Sequence, residues 1–153
     1  LHVRSRRQRQ MCIRDRGTDG TKMSKSKNNI INIFLPDKKL RKQVMSIATD
    51  STPLDAPKDP NTCTVFELYT LIAEPTQVVE MRKNYKLGGF GYGHAKQALY
   101  EAILERFSYA RSKYDHIMAN PELLEHQLQK GAVKARSIAQ QVLKRARKNL
   151  GYT

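Results

Sequence analysis

A chain of 153 residues with 28 lysines and arginines against 14 aspartates and glutamates carries a formal +14. It is long enough for one sizeable core, and its charge favours an acidic polymer as partner. No apolar run approaches the roughly 18 residues of a membrane span, so no membrane partner is predicted. Cys12 and Cys63 lie far apart and outside any Cys-x-x-Cys or Cys/His cluster, which points to neither disulfides nor a metal site and fits a cytoplasmic protein.

Residues 1–16 do not read like the rest. They hold six arginines against Asp15, a net +5, so +14 less +5 leaves +9 for the remainder. Arg9-Gln10-Met11-Cys12-Ile13-Arg14-Asp15-Arg16 has neither strand alternation nor a helical stripe. The segment reads as a non-native, adapter-derived extension, with a basic arm for nucleic acid as the competing reading. On the first reading the native chain begins near Gly17 and is truncated.

Lys22-Met23-Ser24-Lys25-Ser26 follows, flanked by Gly17 and Gly20. Two ammonium groups and two hydroxyls within five residues suit a polyphosphate, with backbone N–H groups as further donors. A solvated lysine- and serine-rich surface loop is the plainer account. Lys25-Ser26 lacks the glycine cradle of a P-loop, which argues against an ordinary P-loop nucleotidase.

Ile30-Ile31-Asn32-Ile33-Phe34-Leu35 is a short β-prone run. Pro36-Asp37 marks a helix start with Asp37 as N-cap, and Leu40, Val44, Ile47 and Ala48 continue it at helical spacing to about residue 48. Residues 49–63 contain Pro53, Pro57 and Pro60 and read as a loop. An apolar helix is predicted over 64–73. Another runs from Pro75, where a missing N–H costs little, to about Leu87.

Gly88-Gly89-Phe90-Gly91-Tyr92-Gly93 fits no dinucleotide fingerprint and follows a helix, so it reads as a helix–helix turn, a direct ligand contact being the alternative. The longest helix is predicted over 94–119, striped by Leu99, Ile103, Phe107, Ala110, Tyr114 and Ile117. His94 and His116 on it have no partners at catalytic spacing. Asn120-Pro121 starts a further helix, which Gly131 is expected to end as a left-handed cap.

In the final predicted helix, 132–149, Ala132, Ala135, Ile138, Ala139, Val142, Leu143 and Ala146 share one arc at about 100° per residue. Lys134, Arg136, Lys144, Arg145, Arg147 and Lys148 share the opposite one. The helix is expected to pack through the first arc and to present six cations from the second, either as a solvated face or to a phosphate backbone.

The pentapeptide matches the signature loop of class I aminoacyl-tRNA synthetases. With Ala48-Thr49-Asp50-Ser51, Phe66-Glu67-Leu68-Tyr69, residues 85–93 and Gly131-Ala132-Val133-Lys134-Ala135-Arg136, the chain over 17–153 resembles the C-terminal half of the bacterial tryptophanyl-tRNA synthetase family. That resemblance implies a mostly α fold. A helical bundle over 37–153, recognising the tRNA anticodon region, would be attached at 17–36 to the last remnant of a Rossmann-type α/β catalytic domain. Deprived of its sheet, the run 30–35 would be exposed or poorly ordered.

The resemblance further implies ATP-dependent activation of tryptophan to its adenylate and transfer to tRNA(Trp), with Mg²⁺ accompanying ATP. Lys22 and Lys25 would be catalytic, neutralising charge on the leaving pyrophosphate. Lys22, Met23, Ser24, Lys25 and Ser26 would contact ATP. The resemblance carries no anticodon-reading residue onto the last helix, whose six cations are read as tRNA contacts from their shared basic face alone. The family's other ATP motif and its tryptophan pocket are absent from this sequence, so the piece alone is expected to be inactive. The intact enzyme is expected to be a homodimer and the piece a monomer. Two alternatives stay open: a non-catalytic basic helical RNA-binding module, and a purely structural helical domain.

Overall fold

The computed structural model describes residues 16–152. The predicted extension over 1–16 thus lies outside the described residues, apart from Arg16. The chain divides into two compact units, Leu1–Arg111 and Ser112–Thr153. Among the described residues five α-helices follow a single 3-10 turn at Lys25–Lys27: α1 Asp37–Met45, α2 Thr64–Ile72, α3 Pro75–Leu87, α4 Tyr92–Ala119 and α5 Pro121–Asn149. Among the described residues the only β pairing is an isolated antiparallel bridge between Arg16 and Lys22.

The core of the first unit follows from apolar spacing. Leu40 and Val44 on α1, Met81 and Tyr85 on α3, and Leu99 and Ile103 on α4 are pairs four residues apart, and each pair is buried. From α2, Val65, Phe66 and Tyr69 join the same buried cluster. Tyr85 is the hub. Its ring lies 5.4 Å from Phe66, 5.9 Å from Phe90 and 6.2 Å from Tyr92 in tilted or edge-on geometries, each worth about 0.5–1.5 kcal/mol beyond area burial. Cys63 is buried beside it, Sγ 3.5 Å from the phenol oxygen.

The glycine run is a packing junction with the proline-rich loop. Gly88 has φ +80°, ψ 175°, and a Cβ there would lie 2.4 Å from the Asp55 carbonyl oxygen. Gly89 N–H donates to Leu54 O at 3.1 Å, and Lys58 N–H to Tyr85 O at 2.7 Å. Lys58 is itself buried. Its ammonium donates to the carbonyls of Pro53, Leu54 and Ala56 at 2.9, 3.2 and 3.2 Å, which matches its three N–H groups to three acceptors. It also sits 5.4 Å from the centre of the Tyr92 ring.

Several expectations need correcting. Residues 30–35 form no strand, and they are not exposed throughout: Ile31, Ile33 and Leu35 pack against the core. Side chains do the pairing that a neighbouring strand would do. Gln43 accepts from Asn32 N–H at 3.1 Å and donates to Ile30 O at 3.0 Å. The Arg111 guanidinium donates to the Ile33 and Leu35 carbonyls and pairs with Asp37. Asp37 is not the N-cap but the first residue of α1, which has Pro36 as N-cap and no side-chain cap. That helix ends at Met45, and Ala48 N–H donates to Thr18 O at 2.7 Å, which fastens the segment after α1 to the signature loop.

In the second unit Gly131 does not stop the helix. It adopts no positive φ and lies inside α5, at a cost of about 1 kcal/mol relative to alanine. The stop is at Gly151, φ +80°, where Gly151 N–H bonds Lys148 O at 3.2 Å and Tyr152 N–H bonds Arg147 O at 2.9 Å. Those two bonds are the pattern of a Schellman cap. The expected packing of the apolar arc is also absent, since α5 buries no residue and Ile138 and Val142 are 65% and 50% exposed. At the break before α5, Asn120 turns its side chain back to His116 O at 2.8 Å rather than capping the new helix.

Candidate functional site

The signature loop is folded around one side chain. Asn29 is 2% exposed. Its amide oxygen accepts from Ser24 N–H at 2.7 Å. Its amide nitrogen donates to Asp19 Oδ1 at 2.8 Å, Lys22 O at 3.1 Å and Thr21 Oγ1 at 3.2 Å. Asp19 in turn accepts from Thr21 N–H at 2.9 Å and from the Thr21 hydroxyl at 3.0 Å, an Asx turn. Thr18 N–H donates to Asn29 O at 2.9 Å, and Gly17 N–H to Thr21 O at 2.8 Å.

Gly17 is required by close approach, not as a source of mobility. It is buried, and a Cβ on it would lie 2.4 Å from Asn29 O and 2.5 Å from Asn29 Cγ.

This frame presents the expected residues outward. Lys22, Lys25 and Ser26 are exposed, and Met23 and Ser24 are half-buried. Ser24 precedes the 3-10 turn, and its hydroxyl lies 2.8 Å from that of Ser26, so the two form one polar edge. Asn28 closes the turn in the left-handed region at φ 52°, which asparagine tolerates. Lys27 donates to Thr21 Oγ1 at 3.3 Å. Among the described residues neither Lys22 nor Lys25 makes an ion pair. Two uncompensated ammonium groups and two hydroxyls on a fixed backbone suit an anionic oxygen-rich ligand.

Asp19 was not among the expected site residues, nor was Asn29. The donated Asn29 amide, then the Thr21 N–H, hold the Asp19 carboxyl below its ordinary value of 3.8. A depressed carboxylate stabilises the fold above its unfolded pKa, and that contribution is lost as pH falls through the folded value. The loop should therefore keep its shape above about pH 4 and loosen only in more acid solution. In an acid titration followed by NMR, the Thr21 and Ser24 amide shifts should move together with the Asp19 carboxylate. Movement centred above pH 5 would contradict this.

The remaining expected residues lie in the other unit. Lys134, Arg136, Lys144, Arg145, Arg147 and Lys148 are all exposed along α5. Leu143, Lys144, Arg147, Lys148 and Tyr152 line a surface groove of about 720 Å³ at its C-terminal end. Tyr152 belongs to that groove and sequence reasoning passed it over. Among the described residues no three His, Cys, Asp or Glu side chains are grouped to hold a metal ion. No helix among them is long and apolar enough to cross a membrane.

The comparison with known families names the class to which this loop and helical unit belong. The model for tRNA synthetases class I (W and Y) matches residues 14–108. The chain belongs to that family. Among individual proteins it is similar to the tryptophan–tRNA ligases of Rhodopirellula baltica, at 46% identity, and Fusobacterium nucleatum, at 45%. Each match covers 88% of this chain, and 42% and 41% of those relatives respectively. The solved tryptophanyl-tRNA synthetase of Campylobacter jejuni, complexed with ADP and tryptophan, superimposes with a TM-score of 0.84 at 43% identity, over 88% of this chain and 42% of that one. The chain thus spans less than half the length of the relatives it matches.

Proposed function

We propose that this chain is part of a tryptophan–tRNA ligase, and that its loop over 22–26 contacts the phosphates of ATP. One observation carries the reading. The unpaired, exposed Lys22 and Lys25 stand on a backbone fixed by Asn29, in a chain 46% identical to a tryptophan–tRNA ligase. The ligase would join the tryptophan carboxylate to the α-phosphate of ATP, release pyrophosphate, and pass the aminoacyl group to the terminal adenosine of tRNA(Trp).

Within that reaction Lys22 and Lys25 neutralise charge building on the pyrophosphate, while Ser24 and Ser26 donate to its oxygens. Met23, half-buried, anchors the loop between them. When bound with ATP, Mg²⁺ would share the neutralisation. Residues 17–36 are assigned to the end of the catalytic domain and 37–153 to the helical tRNA-binding part. Residues 16–152 hold no nucleotide-binding sheet, so catalysis is assigned to the whole cytoplasmic ligase, a homodimer on the family pattern.

Tryptophan-dependent exchange between ATP and pyrophosphate by the full-length ligase tests this. Exchange with tryptophan and not with tyrosine is expected. Exchange driven by tyrosine, or by neither, would defeat the proposal.

The α5 cations are proposed to meet the tRNA backbone near the anticodon. Each phosphate neutralised contributes about −0.7 to −0.9 to the slope of log affinity against log salt. Reversing Lys144 and Arg147 to glutamate should flatten that slope by about 1–2. A slope unchanged in the double variant would remove α5 from the interface. A free-standing RNA-binding module is not favoured, since it has no use for the loop.

A further inference from the structure

We propose that Asn29 is a positioning residue for adenylate formation. It acts through the loop backbone and not by touching ATP. This inference rests on the reading of that loop as the phosphate-contacting element.

The geometry is that of a side-chain amide standing in for a peptide unit. Asn29 accepts from Ser24 N–H at 2.7 Å and donates to Lys22 O at 3.1 Å. It therefore brackets the two peptide units around Met23. Rotation of either unit would swing Lys22 one way and the Ser24–Ser26 edge with Lys25 the other. Asn29 is itself over-determined. Its second amide contact is Asp19 at 2.8 Å, its own carbonyl accepts from Thr18 N–H, and Gly17 leaves no room for it to shift. The side chain that fixes the loop is thus locked by a layer behind it, and it is 2% exposed, out of reach of a ligand. A misplacement of about 1 Å in such a frame costs on the order of 10²-fold in rate.

The chemistry predicts which substitutions matter. Asn29→Ala removes the bracket. Asn29→Asp keeps the shape but places a second carboxylate against Asp19, at the present 2.8 Å contact, and loses the donor to Lys22 O. Adding Asp19→Asn to Asn29→Asp restores a donor–acceptor pair between the two positions with the direction reversed.

The test is single-turnover adenylate formation by the full-length ligase. Rates are expressed per active site titrated, so that loss of folded protein does not count. Lys25→Ala is run alongside as the reporter of the loop reading. Asn29→Ala and Asn29→Asp should each lower the rate per site about 10- to 100-fold with the KM for ATP changed less than about threefold. The Asp19→Asn/Asn29→Asp pair should recover part of that loss, a coupling read as a double-mutant cycle.

A wild-type rate per site in Asn29→Ala, while Lys25→Ala is slow, overturns the positioning role alone. A loss confined to the KM for ATP overturns it too. Full activity in Lys25→Ala overturns the loop reading, and this inference with it. Should Asn29→Ala leave no titratable sites, the Asn29→Asp single and double variants make the same comparison.

Discussion

Lys25→Ala in the full-length ligase is expected to slow tryptophanyl-adenylate formation about 10²–10³-fold while changing the KM for ATP little. Lys25 is the first residue of the 3-10 turn, exposed, and without an ion-pair partner among the described residues. Its ammonium is therefore spent on no contact within the fold. An exposed lysine adds little to ground-state binding, because water already solvates both it and the phosphate. In the proposed reaction charge accumulates on the pyrophosphate as the α–β bond breaks, and a fixed cation there is worth more than in the ground state. The loss should thus fall on the rate at saturating ATP. Pre-steady-state measurement of adenylate formation decides the matter, and an equal fall in ATP affinity would place the effect in ground-state binding.

Gly88→Ala is expected to cost about 3 kcal/mol of unfolding free energy in this chain. Two terms add. A non-glycine residue at φ +80°, ψ 175° is strained by about 1–3 kcal/mol. Its Cβ would also lie 2.4 Å from the Asp55 carbonyl oxygen, which is backbone and cannot rotate aside as a side-chain tip would. The junction would open, and Lys58, with its three carbonyl partners, would go with it. Gly93→Ala is the control. Gly93 lies in the first turn of α4, has no positive φ, and has nothing within 4 Å of a Cβ. It should be neutral or gain about 0.5–1 kcal/mol. Equal effects of the two substitutions in urea unfolding would show that Gly88 is not held by geometry.

The linear record carried a good deal of this. The apolar run over 64–73 located α2, and Pro75 with the glycine run after Leu87 located α3, each to within a residue. The break at Asn120-Pro121 was equally legible, since proline states its own backbone angle and lacks an N–H. The signature pentapeptide was visible because its chemistry lies in contiguous residues. Gly131 misled because a glycine marks a helix end only when its φ is positive, and composition does not report φ.

What the sequence determined by itself, then, is the mostly helical class, the family, and the side chains the loop can offer. The tertiary structure decided how they are held. Asn29 reads as one more polar loop residue until the fold brings Asp19, Lys22 and Ser24 to it. Residues 30–35 read as a strand until Gln43 and Arg111, 13 and 78 positions along the chain, take up their carbonyls. The glycine run reads as a turn until Asp55 is found against Gly88. Periodicity and motif are local, and one chain displays them. Hydrogen-bond satisfaction is a condition on partners brought together by folding, and no spacing along the chain encodes which partner will arrive.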